Sequence, residues 1–359
     1  MMDAVSLDSR SNAFPLQKTK HTNLVFVKTH KTAGSTMQNL LFRFAQHHNL
    51  TVALPAEFCD HKFCYPSLFS HTFVRPNTIP PNIMTSHLRF NMKELQLVMP
   101  KDTIYITILR EPSFMFESLF NYFLNYCDSF RRVPNHSLET FLADPWQYYR
   151  PNEEDSVYAR NTMTFDLGKD KDHPPTDAAY VQAFLAEMEQ AFSLVMITDY
   201  FDESLIVLRH LLSWDLDDLL YFKINSRKEE SKQTLTPALA SKIRDWNALD
   251  TQLYDYFNAS LWRKIAALGT AFVAKEVREL QQAQENLMRS CFNGEVQIRS
   301  SKEMKNRSLR PWQPVGTAEI MGFDLPLNFS HGLSSHVKEL CLKIATPELH
   351  YLDILQNFK

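Results

Sequence analysis

An α/β fold is predicted, in which a parallel sheet is covered by helices on both faces. Three stretches predict it. Leu24-Val25-Phe26-Val27 is a short apolar run of the kind a buried parallel strand needs. A polar loop follows it, and then Met37, Leu40, Leu41 and Phe44 recur at i, i+3, i+4 and i+7, one face of a helix. Thr103–Leu109 is rich in β-branched residues and precedes Pro112, which suits a first helical turn, with Phe116, Leu119, Phe120, Phe123 and Leu124 on the inner face. Leu194–Ile197 and Ser204–Leu212 repeat the pattern. Strands alternating with helices build a parallel sheet with ligands at its carboxyl edge.

The remaining elements fall between these. Ile83–Ser86 reads as a short strand and Met92–Val98 as a helix. Residues 128–178 carry Pro134, Pro145, Pro151, Pro174 and Pro175 and read as a long irregular insertion, the kind that holds binding loops. From Leu249 to about Cys291 the chain reads as helical. The C-terminal stretch, with Pro311, Pro314 and Pro326, reads as a wrapping extension. The expected organisation is a polar tail over 1–22, a principal unit over 23–275, and a helical extension over 276–359 packed on the same unit.

Composition narrows the function. With 44% hydrophobic and 22% charged residues, the 359-residue chain has the makings of a packed core. A net charge of −3 argues against a broad nucleic-acid surface, so no nucleic-acid partner is expected. The spacing of Cys59, Cys64, Cys127, Cys291 and Cys341 fits no zinc pattern, and no metal is expected. Five N-glycosylation sequons, at Asn49, Asn135, Asn258, Asn306 and Asn328, favour a lumenal location. No apolar run approaches the ~18–20 residues of a membrane helix, and residues 1–20 have no signal-peptide core. Either the chain is cytosolic or an anchor lies outside this sequence.

Two segments can hold anions. Lys28-Thr29-His30-Lys31-Thr32-Ala33-Gly34-Ser35-Thr36 joins the first strand to the first helix. A helix start offers free N–H groups and the positive end of the dipole. Lys31 adds charge, Thr32, Ser35 and Thr36 add hydroxyls, and Ala33 and Gly34 leave room for close approach. The competing reading is an ordinary helix cap beside a solvated lysine. A Walker A loop is excluded, because GxxxxGK[ST] is absent. Arg110, at the end of the Thr103–Leu109 strand, and Ser118, eight residues on, can grip a second phosphate. Alternatively Arg110 pairs with Glu111 or Glu117 and Ser118 merely fits.

Together these residues resemble the sulfotransferases that use 3′-phosphoadenylyl sulfate (PAPS). That family has a lysine-bearing 5′-phosphosulfate loop after the first strand and a strand-end Arg with a Ser eight residues on for the 3′-phosphate. Within it the chain resembles the galactose-3-O-sulfotransferases, which include the cerebroside enzyme. The likeness lies in Lys28–Thr32, His87-Leu88-Arg89-Phe90, Leu109-Arg110-Glu111-Pro112, Phe116-Glu117-Ser118 and Phe165-Asp166-Leu167-Gly168. It continues through Tyr200–Ser204, Leu220–Lys223, Phe257–Ser260 and Pro311–Pro314.

The resemblance implies a P-loop-like sulfotransferase fold, with 23–275 as the catalytic domain, PAPS as donor and no metal. It implies a Golgi membrane enzyme whose N-terminal anchor is absent here. The implied acceptor is the 3-hydroxyl of a terminal galactose, first on galactosylceramide or a related glycolipid, with N-acetyllactosamine or core-1 O-glycans of glycoproteins as the alternative. His87 is the first candidate for the base and His30 the second, with Lys31 stabilising the leaving group. Lys31, Thr32, Ala33, Gly34, Ser35, Thr36, Arg110 and Ser118 are expected to hold the donor. Tyr65, Trp146 and Tyr148 are candidates for stacking on the sugar, and Cys291 and Cys341 for a disulfide. The rival readings are a P-loop kinase and a glycan-binding relative without turnover.

Overall fold

In the computed structural model the described residues are 19–224, 226–228, 234–313, 319–326, 329 and 332–357. Most of the polar tail, Pro314 and the sequon at Asn328 lie outside them. Four parallel strands form the main sheet: β1 (Leu24–Val27), β2 (Ile83–Ser86), β3 (Ile104–Leu109) and β4 (Leu194–Ile197), in the order β2-β1-β3-β4. Every residue of β1, β2 and β4 is buried, which is why these strands read as unbroken apolar runs with no alternation. Register runs Leu24↔Ile83 on one side of β1 and Leu24↔Ile104 on the other.

Strand order positions the site. The chain passes from β1 to its neighbour β2, then crosses β1 to reach β3. Connections leaving β1 and β3 therefore diverge, and their carboxyl ends open a crevice at the switch point. Helix α1 (Gly34–His47) follows β1 and helix α3 (Pro112–Phe123) follows β3. Between them, α2 covers Met92–Val98. Pro112 sits in the first turn of α3, where a missing N–H costs nothing, and Glu111 caps that turn by accepting from the Ser113 and Phe114 amides.

A helix at Ala178–Ala191 is not evident in the sequence because only Val181, Phe184 and Met188 are buried. The helical stretch after Leu249 is two helices, Ala248–Leu268 and Thr270–Phe292, separated at Gly269, whose φ of 99° suits glycine. The C-terminal region is not wholly helical. Ile298–Ser300 (β6) and Ile320–Phe323 (β7) join Ser226–Arg227 (β5) in a small antiparallel sheet, ordered β5-β7-β6. Such short strands leave no readable alternation.

One apolar core runs through the sheet, the long C-terminal helices and the last helix, where Tyr351 and Leu352 are buried. A disulfide joins Cys291 to Cys341 and a second joins Cys59 to Cys64, while Cys127 is free and buried. The insertion builds a second core. Phe130, Phe141, Tyr148 and Tyr149 pack on the outer face of α3 and on Trp246 of the helix Pro237–Trp246.

Candidate active site

The loop after β1 is bent by its own backbone. Lys31 and Ala33 adopt left-handed φ of 59° and 67°, an uncommon conformation for residues other than glycine. Alternating handedness turns successive N–H groups toward one concavity, which suits an anion. Ala33 is the cap of α1 and supplies no side-chain bond, so the first amides of the helix are not capped by a hydroxyl. The ordinary-cap reading therefore fails. Gly34 is required sterically, since a Cβ there would lie 2.6 Å from the Lys28 Cγ. Thr32 is turned inward and donates to the Thr29 carbonyl at 3.0 Å, so its hydroxyl shapes the loop.

Arg110 meets this loop from β3. Its Nη1 donates to the Lys31 carbonyl at 3.1 Å. Neither pairing considered from sequence forms. Glu111 caps α3 and pairs with Arg244 at 2.8 Å, while Glu117 holds Arg227 in a buried ion pair. Arg110 is left with no ion-pair partner among the described residues. Thr198, at the end of β4, donates to the carbonyls of Thr32 (2.8 Å) and Leu109 (3.1 Å) and so ties the two strand-end loops together.

A single cavity of about 1340 Å³ is lined by every candidate: His30, Lys31, Thr32, Ala33, Gly34, Ser35, Thr36, His87, Arg110 and Ser118. Eight lysines and arginines line it, against two acidic residues, Glu348 and Asp353. This balance suits a ligand with several negative charges, and the volume exceeds that of usual small-molecule sites.

The cations of the cavity crowd one another. Burial first, then the charges of Arg227, Arg110 and Lys28, pull Lys31 down to about 7, against a smaller opposing pull from Glu348. Its ammonium lies over the Tyr122 ring at 3.7 Å. Lys28 is neutralised by Glu348, from the helix Glu348–Asn357, and also donates to Gln38 at 2.9 Å. Burial would raise the Glu348 carboxyl, but Lys28 and the Ser35 hydroxyl outweigh it and hold it below its ordinary value.

The two histidines are adjacent. Their rings stack with centroids 4.0 Å apart and planes at 14°. His87 Nδ1 faces the Lys28 carbonyl at 3.2 Å; a carbonyl only accepts, so the proton belongs on Nδ1 and Nε2 keeps its lone pair. Burial, then His30, Lys28 and Lys62, hold the His87 pKa well below its ordinary 6.5. His30 faces Asp166, with Nδ1 2.9 Å from the carboxylate and the backbone N–H donating at 2.8 Å.

Asp166 was not among the sequence candidates. Its helix, Thr162–Asp166, is seated by the buried Asp250, which accepts from the amides of Met163 (3.1 Å) and Thr164 (2.8 Å). The Phe165–Gly168 segment was the available signal, but nothing local connects it to a histidine 136 residues away. Glu348, Arg227, Thr198 and Lys62 were missed for the same reason.

The sugar-stacking candidates are not brought to the cavity. Tyr148 is buried in the second core, Trp146 packs edge-on against Trp246, and Tyr65 lies behind His30 at 4.8 Å. Within the insertion, Tyr148 is taken up by packing, while Trp146 keeps 56% of its surface exposed. Tyr122, Tyr126, Tyr158 and Trp312 line the cavity instead.

No helix among the described residues is long and apolar enough to cross a membrane. Asn49 and Asn135 are exposed. Asn258 lies within the helix Ala248–Leu268, and the Asn306 side chain caps the short turn after it.

The family model described as Galactose-3-O-sulfotransferase matches residues 4–359. Among curated relatives, galactose-3-O-sulfotransferase 3 of Mus musculus is 53% identical over 340 residues, covering 94% of this chain and 78% of the relative. Galactose-3-O-sulfotransferase 2 of Mus musculus is 41% identical over 345 residues, covering 94% and 85%. Galactosylceramide sulfotransferase of Homo sapiens is 40% identical over 334 residues, covering 92% and 77%. With the family model matched across nearly the whole sequence and relatives at 40–53% identity, the chain belongs to the galactose-3-O-sulfotransferase family.

Proposed function

We propose that the chain transfers a sulfuryl group from PAPS to the 3-hydroxyl of a terminal galactose. The observation that carries this reading is the joining of Lys31 and Arg110 at one cavity, with the Arg110 guanidinium on the Lys31 carbonyl. The uncapped start of α1, with Lys31 and Ser35, receives the 5′-phosphosulfate. Arg110 and Ser118 receive the 3′-phosphate. A nucleotide so held brings its sulfur to the side where His30 and His87 stack.

The chemistry is an in-line displacement. A bond forms between the galactose O3 and sulfur as the bond from sulfur to the bridging oxygen breaks. His87, which lines the cavity with its Nε2 unprotonated, takes the hydroxyl proton. Lys31 offers a positive charge to the leaving oxygen. The Asp166 carboxylate favours a second reading, in which His30 is the base, since a carboxylate on Nδ1 orients an imidazole and stabilises its protonated form.

For the acceptor we propose a galactose-terminated glycan. Greater identity to the relative named for galactose alone than to the one named for galactosylceramide supports testing soluble glycans beside the glycolipid. We also propose an oxidising, Golgi-type lumenal compartment, supported by two disulfides and exposed sequons at Asn49 and Asn135. The deciding experiment is a transfer assay with radiolabelled PAPS and an acceptor panel of galactosylceramide, N-acetyllactosamine and a core-1 disaccharide, with linkage analysis of the product. Label at galactose O3 is expected. Transfer to another position, or ATP-dependent phosphorylation instead, contradicts the reading.

A further inference from the structure

Lys62 has no role in the transfer chemistry derived above. It lines the same cavity as His87 and sits inside the loop closed by the Cys59–Cys64 disulfide. That loop is seated firmly. The Phe63 amide donates to the His87 carbonyl at 2.9 Å, and the Phe63 ring is fully buried, edge-on to Phe69 at 5.8 Å. Asp60 and Cys64 take left-handed φ of 59° and 46°, which turn the chain within the five-residue span. Residue 62 is thus held one residue from the backbone bond that joins the loop to His87.

The charge on Lys62 is not neutralised by a direct pair. It makes no ion pair among the described residues, and its neighbour Asp60 is engaged by His61 at 2.8 Å. Several groups face His87. His30 is stacked on it, Lys28 approaches with its carbonyl, and the Tyr65 ring is 6.2 Å away. Asp166 stands behind His30, and Glu348 pairs with Lys28. Of the two lysines near His87, Lys28 already carries a carboxylate partner and Lys62 does not.

We propose that Lys62, presented by the Cys59–Cys64 clamp, is a positioning residue of the transfer reaction whose charge keeps the His87 imidazole unprotonated and Nε2 available to the acceptor hydroxyl. This rests on the reading of His87 as base. The direction of the His87 shift agrees, since burial leads and His30, Lys28 and Lys62 follow, all lowering it. The loop is a clamp because a free loop would let the lysine swing into solvent, where its field at His87 is screened.

The test uses the full chain with Lys62→Met and Lys62→Arg, and with Cys59→Ser/Cys64→Ser. Two quantities are read: the His87 imidazole titration by NMR with labelled histidine, and the acidic limb of the kcat/KM pH profile. Loss of this cation should raise the His87 pKa by on the order of half a unit to one unit. The base must be unprotonated, so the acidic limb should move up by the same amount in Lys62→Met and return in Lys62→Arg. The double serine variant should shift both in the Lys62→Met direction. An unchanged His87 titration in Lys62→Met overturns the proposal. A titration that moves while the limb stays fixed leaves the Lys62 effect standing and sinks the base role of His87.

Discussion

His30 and His87 lie face to face, 4.0 Å between ring centroids, with one imidazole bonded to a carboxylate and the other to a carbonyl. This asymmetry separates the two candidate bases by experiment. With His87 as base, His87→Ala should lower kcat by about 10²- to 10⁴-fold while donor binding persists. Asp166→Asn then costs much less than His87→Ala. If His30 is the base, the order inverts, and Asp166→Asn becomes the more damaging change. Steady-state kinetics on the two variants distinguish these outcomes.

Donor binding should take up a proton. Lys31 sits at about 7 in the open cavity, and an anion beside it raises that value. Above pH 7 the free enzyme holds Lys31 partly neutral and the complex holds it charged. Affinity should therefore fall as pH rises from 7 to 9, with proton uptake that vanishes in Lys31→Met. Titration calorimetry in two buffers of different ionisation enthalpy measures this directly. Proton release on binding would contradict it.

The Glu117–Arg227 pair is buried at both ends, with Glu117 at 4% and Arg227 at 8% exposure. Removing one partner leaves the other charge in the core. Glu117→Ala is expected to cost about 3–5 kcal/mol of stability, whereas joint replacement by apolar residues should cost far less. Urea unfolding of the single and double variants checks this.

Glu348 reaches Lys28 across 320 residues, from the first turn of the last helix to the end of β1. Glu348→Gln removes the charge and keeps the shape. Lys28 then becomes a further free cation in the cavity, so binding of adenosine 3′,5′-bisphosphate should tighten several-fold at low salt, and the gain should fade as salt rises. Calorimetry over a salt series reads both effects.

What the sequence revealed divides along contact range. β1 to β4 were legible because each is a buried run followed by a helix with an apolar stripe. Most of the proposed donor-binding residues were legible because they follow the ends of β1 and β3, where local order fixes their direction. Asp166, Asp250, Thr198, Lys62 and Glu348 were not, because each acts through a partner brought near only by the tertiary fold. Tyr148 and Trp146 misled for a related reason: an aromatic in an irregular insertion reads the same whether it meets a sugar or packs on Trp246. The antiparallel β5-β7-β6 sheet was hidden by the shortness of its strands.

The central claim is that one nucleotide spans Lys31 and Arg110, and the binding of two nucleotides to Arg110→Ala tests it most directly. Adenosine 3′,5′-bisphosphate should bind the variant about 10- to 100-fold more weakly than it binds the unaltered chain, as loss of a charge-assisted phosphate contact requires. Adenosine 5′-monophosphate should bind both proteins alike. Equal affinity of the two proteins for the bisphosphate would contradict the account.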